Sequence, residues 1–128
     1  LIRPDLVPTL IQNVLNKDDV TVWNDKPKRD FIFTEDAADA ILKLINTNYT
    51  GVINLGTGEM NSIKTIASEV EKLSGKKIIS LDKPVSGPME LTVDTSLTKK
   101  LIDWEPKFTL QKGLKKTYEI MKNYQQEK

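Results

Sequence analysis

Arg29-Asp30-Phe31-Ile32-Phe33-Thr34-Glu35-Asp36-Ala37-Ala38-Asp39-Ala40-Ile41 changes periodicity partway along. Phe31 to Thr34 has the aromatic and β-branched composition of a short strand. Thr34 is then a candidate helix N-cap. Glu35 and Asp36 follow where the positive end of a helix dipole favours acids, and Ala37, Ala38, Ile41, Leu42 and Ile45 recur at helical spacing as a stripe expected to be buried. A strand running directly into a capped helix, repeated along a chain, makes an α/β architecture.

The same alternation extends to both sides. Upstream, Leu6, Val7, Leu10, Ile11, Val14 and Leu15 fall on one helical face, with Asp5 as candidate N-cap and Pro8 in the tolerated first turn. Val20 to Trp23 reads as a strand, and Asn24-Asp25-Lys26-Pro27-Lys28 as a compact basic turn. Downstream, Tyr49-Thr50-Gly51 turns the chain into a strand candidate, Val52 to Leu55, which runs into Gly56-Thr57-Gly58. Ser62 can cap a helix buried through Ile63, Ile66, Ala67, Val70 and Leu73 and closed by Gly75. Ile78 to Leu81 is another strand, Pro84 to Pro88 a loop, and Leu91 to Val93 a short edge strand. Two helices complete the pattern, one from about Asp94 to Asp103-Trp104, the other from Thr109 to about Tyr124. Residues 1–128 thus form one domain of short strands with about five helices.

Composition narrows the chemistry. With 38% hydrophobic and 29% charged side chains over 128 residues, the chain buries a core without disulfides or metals. It contains neither Cys nor His, which removes zinc fingers, thiol nucleophiles and Ser-His-Asp triads. A net charge of +1 gives no general attraction to nucleic acid or to an anionic membrane. No apolar run approaches the roughly 20 residues of a membrane helix, so the default location is cytoplasmic. Leu1-Ile2-Arg3-Pro4 reads like the middle of a polypeptide, and a C-terminal fragment of a longer chain is expected.

The segment Arg29 to Ile41 resembles the "RDF(I/L)xVxDxAxA" string of NAD-dependent nucleotide-sugar epimerases, dehydratases and reductases, the extended short-chain dehydrogenases. Three further strings occur in that family's order: "VINLGTG" (Val52 to Gly58), "KPxxGP" (Lys83 to Pro88) and "Dxs…LxxWxP…GLxxTY" (Asp94 to Tyr118). The resemblance implies a small C-terminal lobe that holds a nucleotide sugar. NAD or NADP would then be bound by an N-terminal Rossmann domain absent from this chain, and the lobe alone would carry no catalytic residue, cofactor or metal. The rival reading is a non-catalytic binding or assembly module derived from the same family.

Two patterns imitate the missing machinery. Gly56-Thr57-Gly58 lies between a strand candidate and a helix, but the third glycine of a GxGxxG turn would fall at Asn61, so the alternative is a close turn against a neighbouring strand. Tyr118/Lys122 and Tyr124/Lys128 match the family's Tyr-x-x-x-Lys, yet both lie downstream of the substrate-lobe strings, and Tyr118 reads as core. The acids Glu35, Asp36 and Asp39 are accounted for by the helix dipole before any metal is invoked. The lysines of the terminal helix read as a solvated face.

The candidate ligand residues are Arg29, Trp23, Val22, Thr21, Lys83 and Asn54. Arg29 is one of only two arginines among nineteen basic residues, and its planar fork suits diphosphate oxygens; the other reading is an ion pair with Asp30 or Asp36. Thr21-Val22-Trp23 resembles the strand lining the nucleotide base, with Trp23 either a stacking face or core. Lys83 resembles the loop lysine of GDP-fucose synthase-like enzymes, or is simply solvated. Asn54 matches the family's "yNxG" asparagine, bonding either ligand or backbone. Two departures bear on the substrate: the glycine turn after the tryptophan becomes Asn24-Asp25-Lys26, and Glu90 stands nearest to where a second arginine is expected.

Overall fold

The helix expected from Leu6 forms as α1 (Leu6–Asn16), entered from an extended Asp5 and buried through Leu10, Ile11 and Val14. The computed structural model describes residues 5–127; the reading of residues 1–4 lies outside them. The remaining elements are β1 (Val20–Val22), β2 (Lys28–Asp30), α2 (Thr34–Ile45), β3 (Met60–Ser62), α3 (Ile63–Ser74), β4 (Ile78–Ser80), β5 (Glu90–Leu91), α4 (Ser96–Ile102) and α5 (Leu110–Gln126). The chain is therefore α/β, with five helices and a few short strands among the described residues.

Two small sheets organise it. β1 and β4 are parallel, with Val20 opposite Ile78 and Val22 opposite Ser80. The second sheet has β2 in the middle, antiparallel to β3 and parallel to β5. Around β1, the helices α1, α3 and α5 bury Leu10, Ile11, Val14, Val20, Val22, Ile66, Val70, Leu114 and Tyr118 as one core. Burying apolar surface at about 25 cal/mol per Å² makes this cluster the main source of stability.

Local chemistry sets the helix ends. Ser62 Oγ accepts the Thr65 N–H at 3.0 Å to start α3, and Gly75 closes it in the left-handed conformation. Thr109 caps α5 by accepting the Lys112 N–H. Asp103 ends α4 with φ 45°, a conformation Asp adopts more readily than most residues. Asp94 Oδ1 accepts the Ser96 N–H at 2.9 Å, and hydrogen bonding from the Ser96 side chain and backbone holds the Asp94 carboxyl below its ordinary range.

Four sequence expectations are corrected. Thr34 is the first residue of α2 rather than its cap: the N-cap position is Phe33, and no side chain caps the helix. The strand expected at Phe31 to Thr34 lies three residues earlier, at Lys28–Asp30, because the partners of β2 end at Met60 and Leu91. The apolar stripe expected to be buried on α2 faces outward: Ile41, Leu42 and Ile45 are 50%, 64% and 71% exposed. That helix packs instead through Asp36 and Ala40. Val52 to Leu55 forms no strand, and Val52 is 88% exposed; a strand pattern without a partner backbone has nothing to pair with.

Candidate functional site

Two loops, residues 23–28 and 83–89, run side by side and are clasped at both ends. At one end the Lys83 N–H donates to the Trp23 carbonyl at 3.0 Å, Trp23 Nε1 donates to Pro84 O at 2.9 Å, and Asn24 Nδ2 donates to Lys83 O at 2.9 Å. At the other end the Lys28 N–H donates to Met89 O at 2.7 Å. Asn24 Oδ1 also accepts the Lys26 N–H at 3.0 Å, an Asx turn doing the work of the absent glycines.

Along β1 the side chains alternate. Val22 points into the core, which corrects its candidacy: its side chain is closed to a ligand, and its carbonyl accepts the Leu81 N–H. Thr21 is exposed. Trp23 is 60% exposed, so the core alternative for it falls. Lys83 Nζ stands 4.5 Å from its ring centroid, which makes Trp23 and Lys83 a joined aromatic and cationic surface.

Arg29, in the central strand β2, is half-buried. Its Nη1 donates to Lys28 O at 2.8 Å and to Met89 O at 3.4 Å. Among the described residues no other group bonds the guanidinium, and no carboxylate pairs with it. Nε and Nη2 have no partner among the described residues, so within them the fork is anchored on one side only. Both acids that could have paired with it are occupied elsewhere.

Asp30 holds the glycine turn. Its Oδ1 accepts the Thr57 N–H at 2.9 Å and the Thr57 hydroxyl at 2.5 Å, while Oδ2 accepts the Gly58 N–H at 2.8 Å. A Cβ on Gly56 would lie 2.5 Å from Val93 Cγ2 and 2.6 Å from Asp30 Oδ2, so only glycine fits this approach. The amides a dinucleotide pyrophosphate would need are spent on Asp30, and this turn does not fit NAD. Asn54 takes the backbone alternative: its Nδ2 donates to Asp94 O at 3.3 Å, and its carbonyl accepts the Thr98 hydroxyl, which ties the segment to α4.

Asp36, 2% exposed, accepts the backbone N–H groups of Lys107 and Phe108 at 2.9 and 3.0 Å. Glu35 pairs with Lys116, and Asp39 with Lys43 and Lys107. Each acid of this helix thus has its own partner, and no metal-holding group of three or more His, Cys, Asp or Glu occurs among the described residues. Tyr118 is core, as read from sequence. Tyr124 is 61% exposed, and Lys128 lies outside the described residues.

A cleft escaped the sequence reading. An apolar cavity of about 490 Å³ is bounded by the start of α1, residues 31–34 and the start of α5. A more polar one of about 330 Å³ adjoins it, and the two share Phe31, Phe108, Thr109 and Leu110. All three phenylalanines of the chain, Phe31, Phe33 and Phe108, line the apolar part, a meeting that no sequence pattern signals because Phe108 is far from the other two along the chain. Phe33 and Phe108 pack at 4.5 Å between centroids, and Gly113 admits Phe33, which a Cβ would meet at 3.3 Å. None of the six candidate ligand residues lines either cavity.

Residues 3–56 match the model of the NAD dependent epimerase/dehydratase family. A putative GDP-L-fucose synthase 2 of Arabidopsis thaliana is 36% identical over 110 residues, which cover 81% of this chain and 33% of that protein. UDP-glucuronic acid decarboxylase 1 of Xenopus tropicalis is 30% identical over 115 residues, 88% of this chain and 27% of that one. Among solved structures, UDP-glucuronic acid 4-epimerase from Bacillus cereus, in complex with UDP-glucuronic acid and NAD, superposes with a TM-score of 0.82 at 29% identity. The match covers 95% of this chain and 41% of that one. The chain spans about a third of the length of the curated relatives it matches.

Proposed function

The chain belongs to the NAD-dependent epimerase/dehydratase family, and from that premise we propose that it is the nucleotide-sugar-binding lobe of a longer enzyme of this family. Arg29 takes the diphosphate through Nε and Nη2. Trp23 and Lys83, with the exposed Thr21, receive the nucleotide end. Hydride transfer to and from NAD or NADP belongs to a nucleotide-binding domain outside these residues, so the lobe positions the sugar without transforming it. The enzyme acts in the cytoplasm as an epimerase, dehydratase or reductase. No helix among the described residues is long and apolar enough to cross a membrane.

The uncovered half of the lobe has a place in this reading. Ile41, Leu42 and Ile45, exposed on α2, form the face on which the nucleotide-binding domain rests. The relatives have about two-thirds of their length outside the matched region, ample for such a domain.

The observation that carries the reading is the half-anchored guanidinium of Arg29, with donors unspent and no carboxylate partner. Titration of the 128-residue chain with UDP-, GDP-, dTDP- and CDP-sugars tests it. Arg29→Met is expected to weaken the best ligand about tenfold, the loss of a charge-assisted bidentate contact. Binding unchanged by Arg29→Met, or no binding to any of the four, overturns it in favour of an assembly module without nucleotide recognition. Hydride transfer by this chain alone would overturn the division of labour.

A further inference from the structure

Lys83 is an exposed lysine on a flexible stem, yet its ammonium stands 4.5 Å from the centroid of the Trp23 ring. A cation–π contact at an exposed site is weak, and ordering a lysine stem takes away rotamer entropy of comparable size. The contact therefore depends on where the backbone starts that stem. Three hydrogen bonds fix the starting point. The Lys83 N–H donates to the Trp23 carbonyl at 3.0 Å, Asn24 Nδ2 donates to the Lys83 carbonyl at 2.9 Å, and Trp23 Nε1 donates to the Pro84 carbonyl at 2.9 Å. The Asn24 bond is the one on the Lys83 carbonyl, so Asn24 and the Trp23 carbonyl grip the two sides of the Cα from which the stem leaves. Asn24 is half-buried, and its amide is tied at the other end as well, Oδ1 accepting the Lys26 N–H at 3.0 Å. A glycine in its place would turn the chain by conformational freedom and offer the Lys83 carbonyl no donor.

We propose that Asn24 is a positioning residue, which fixes the Lys83 backbone so that the ammonium stays over Trp23 and the nucleotide end of the site is formed before a ligand arrives. The inference rests on the nucleotide-sugar reading for what that surface receives, whereas the place of Lys83 is measurable without any ligand. The competing explanation is that Asn24 serves only its own turn. The two differ over the carboxamide N–H: positioning requires it, and the turn does not.

The test compares the 128-residue chain with Asn24→Gly, Asn24→Ser and Trp23→Leu by NMR. Both Asn24 variants remove the carboxamide donor, and serine keeps an uncharged acceptor for the turn. The Trp23 ring displaces the ε-methylene protons of Lys83 upfield, and Trp23→Leu gives their undisplaced position. Each Asn24 variant is expected to lose about half of the displacement, because a weak contact loses one of the two anchors beside its Cα. For Asn24→Gly, affinity for UDP-glucose is expected to fall about threefold, while that for inorganic pyrophosphate changes by less than about 1.5-fold. Arg29 lies at the other clasp, where the Lys28 N–H still meets Met89 O. Lys83 protons that stay displaced in either Asn24 variant overturn the positioning role, as does an equal loss for pyrophosphate, which would mean that both clasps had loosened. If neither ligand binds the parent chain, the nucleotide-sugar reading fails on its own, and the methylene displacement still decides the role of Asn24.

Discussion

The two halves of this lobe treat apolar residues in opposite ways. Around β1, the helices α1, α3 and α5 turn their apolar faces inward, and Ile11, Ile66 and Val70 have no exposed surface. Around α2, Ile41, Leu42 and Ile45 look outward, and the strand-like segment 52–55 pairs with no strand among the described residues. The second half buries Ala40 and Trp104 and adds polar ties: Asp30 grips the turn at Thr57 and Gly58, and Asp36 grips residues 107 and 108. One half is a core, and the other is a surface pinned by a buried carboxylate, Asp36, and a half-buried one, Asp30.

If that contrast is right, a cavity in the first half should have the largest effect. Ile66→Ala is expected to cost about 3 kcal/mol in urea denaturation. Asp36→Ala removes two hydrogen bonds to a charged acceptor and strands two amides, so about 2–3 kcal/mol is expected by the same measurement. Gly56→Ala forces a Cβ onto Asp30 and Val93, and about 1–2 kcal/mol is expected. Ile45→Lys, on the outward face, should change stability by less than about 0.5 kcal/mol. A large loss from Ile45→Lys would erase the distinction between the halves.

The sequence reading was strongest where a residue acts through its neighbours along the chain. The capping of α3 by Ser62, its left-handed closure at Gly75, and the core positions of α1 and α3 were legible because they depend on local geometry and helical spacing. The reading failed at α2. Its apolar stripe was visible, but periodicity reports that a face is apolar, not that anything covers it. The displacement of the strand from 31–34 to Lys28–Asp30 has a similar cause, since a strand's limits belong to its partners. At the site, sequence could single out Arg29 as chemically distinctive and leave Trp23 open between shelf and core, yet could not show that Val22 and Asn54 were spent on core and backbone.

Sequence alone determined the class of fold, the start and close of α3 at Ser62 and Gly75 and the start of α5 at Thr109, because spacing and caps are properties of the chain itself. Tertiary structure decided the rest: that Asp30 and Asp36 are occupied by backbone amides dozens of residues away, and that the three phenylalanines meet in one cleft. It also decided that Glu90 pairs with Lys28 and that no carboxylate among the described residues pairs with Arg29. Those outcomes turn on which groups come within hydrogen-bond distance across the fold, and no linear pattern encodes a distance between strands.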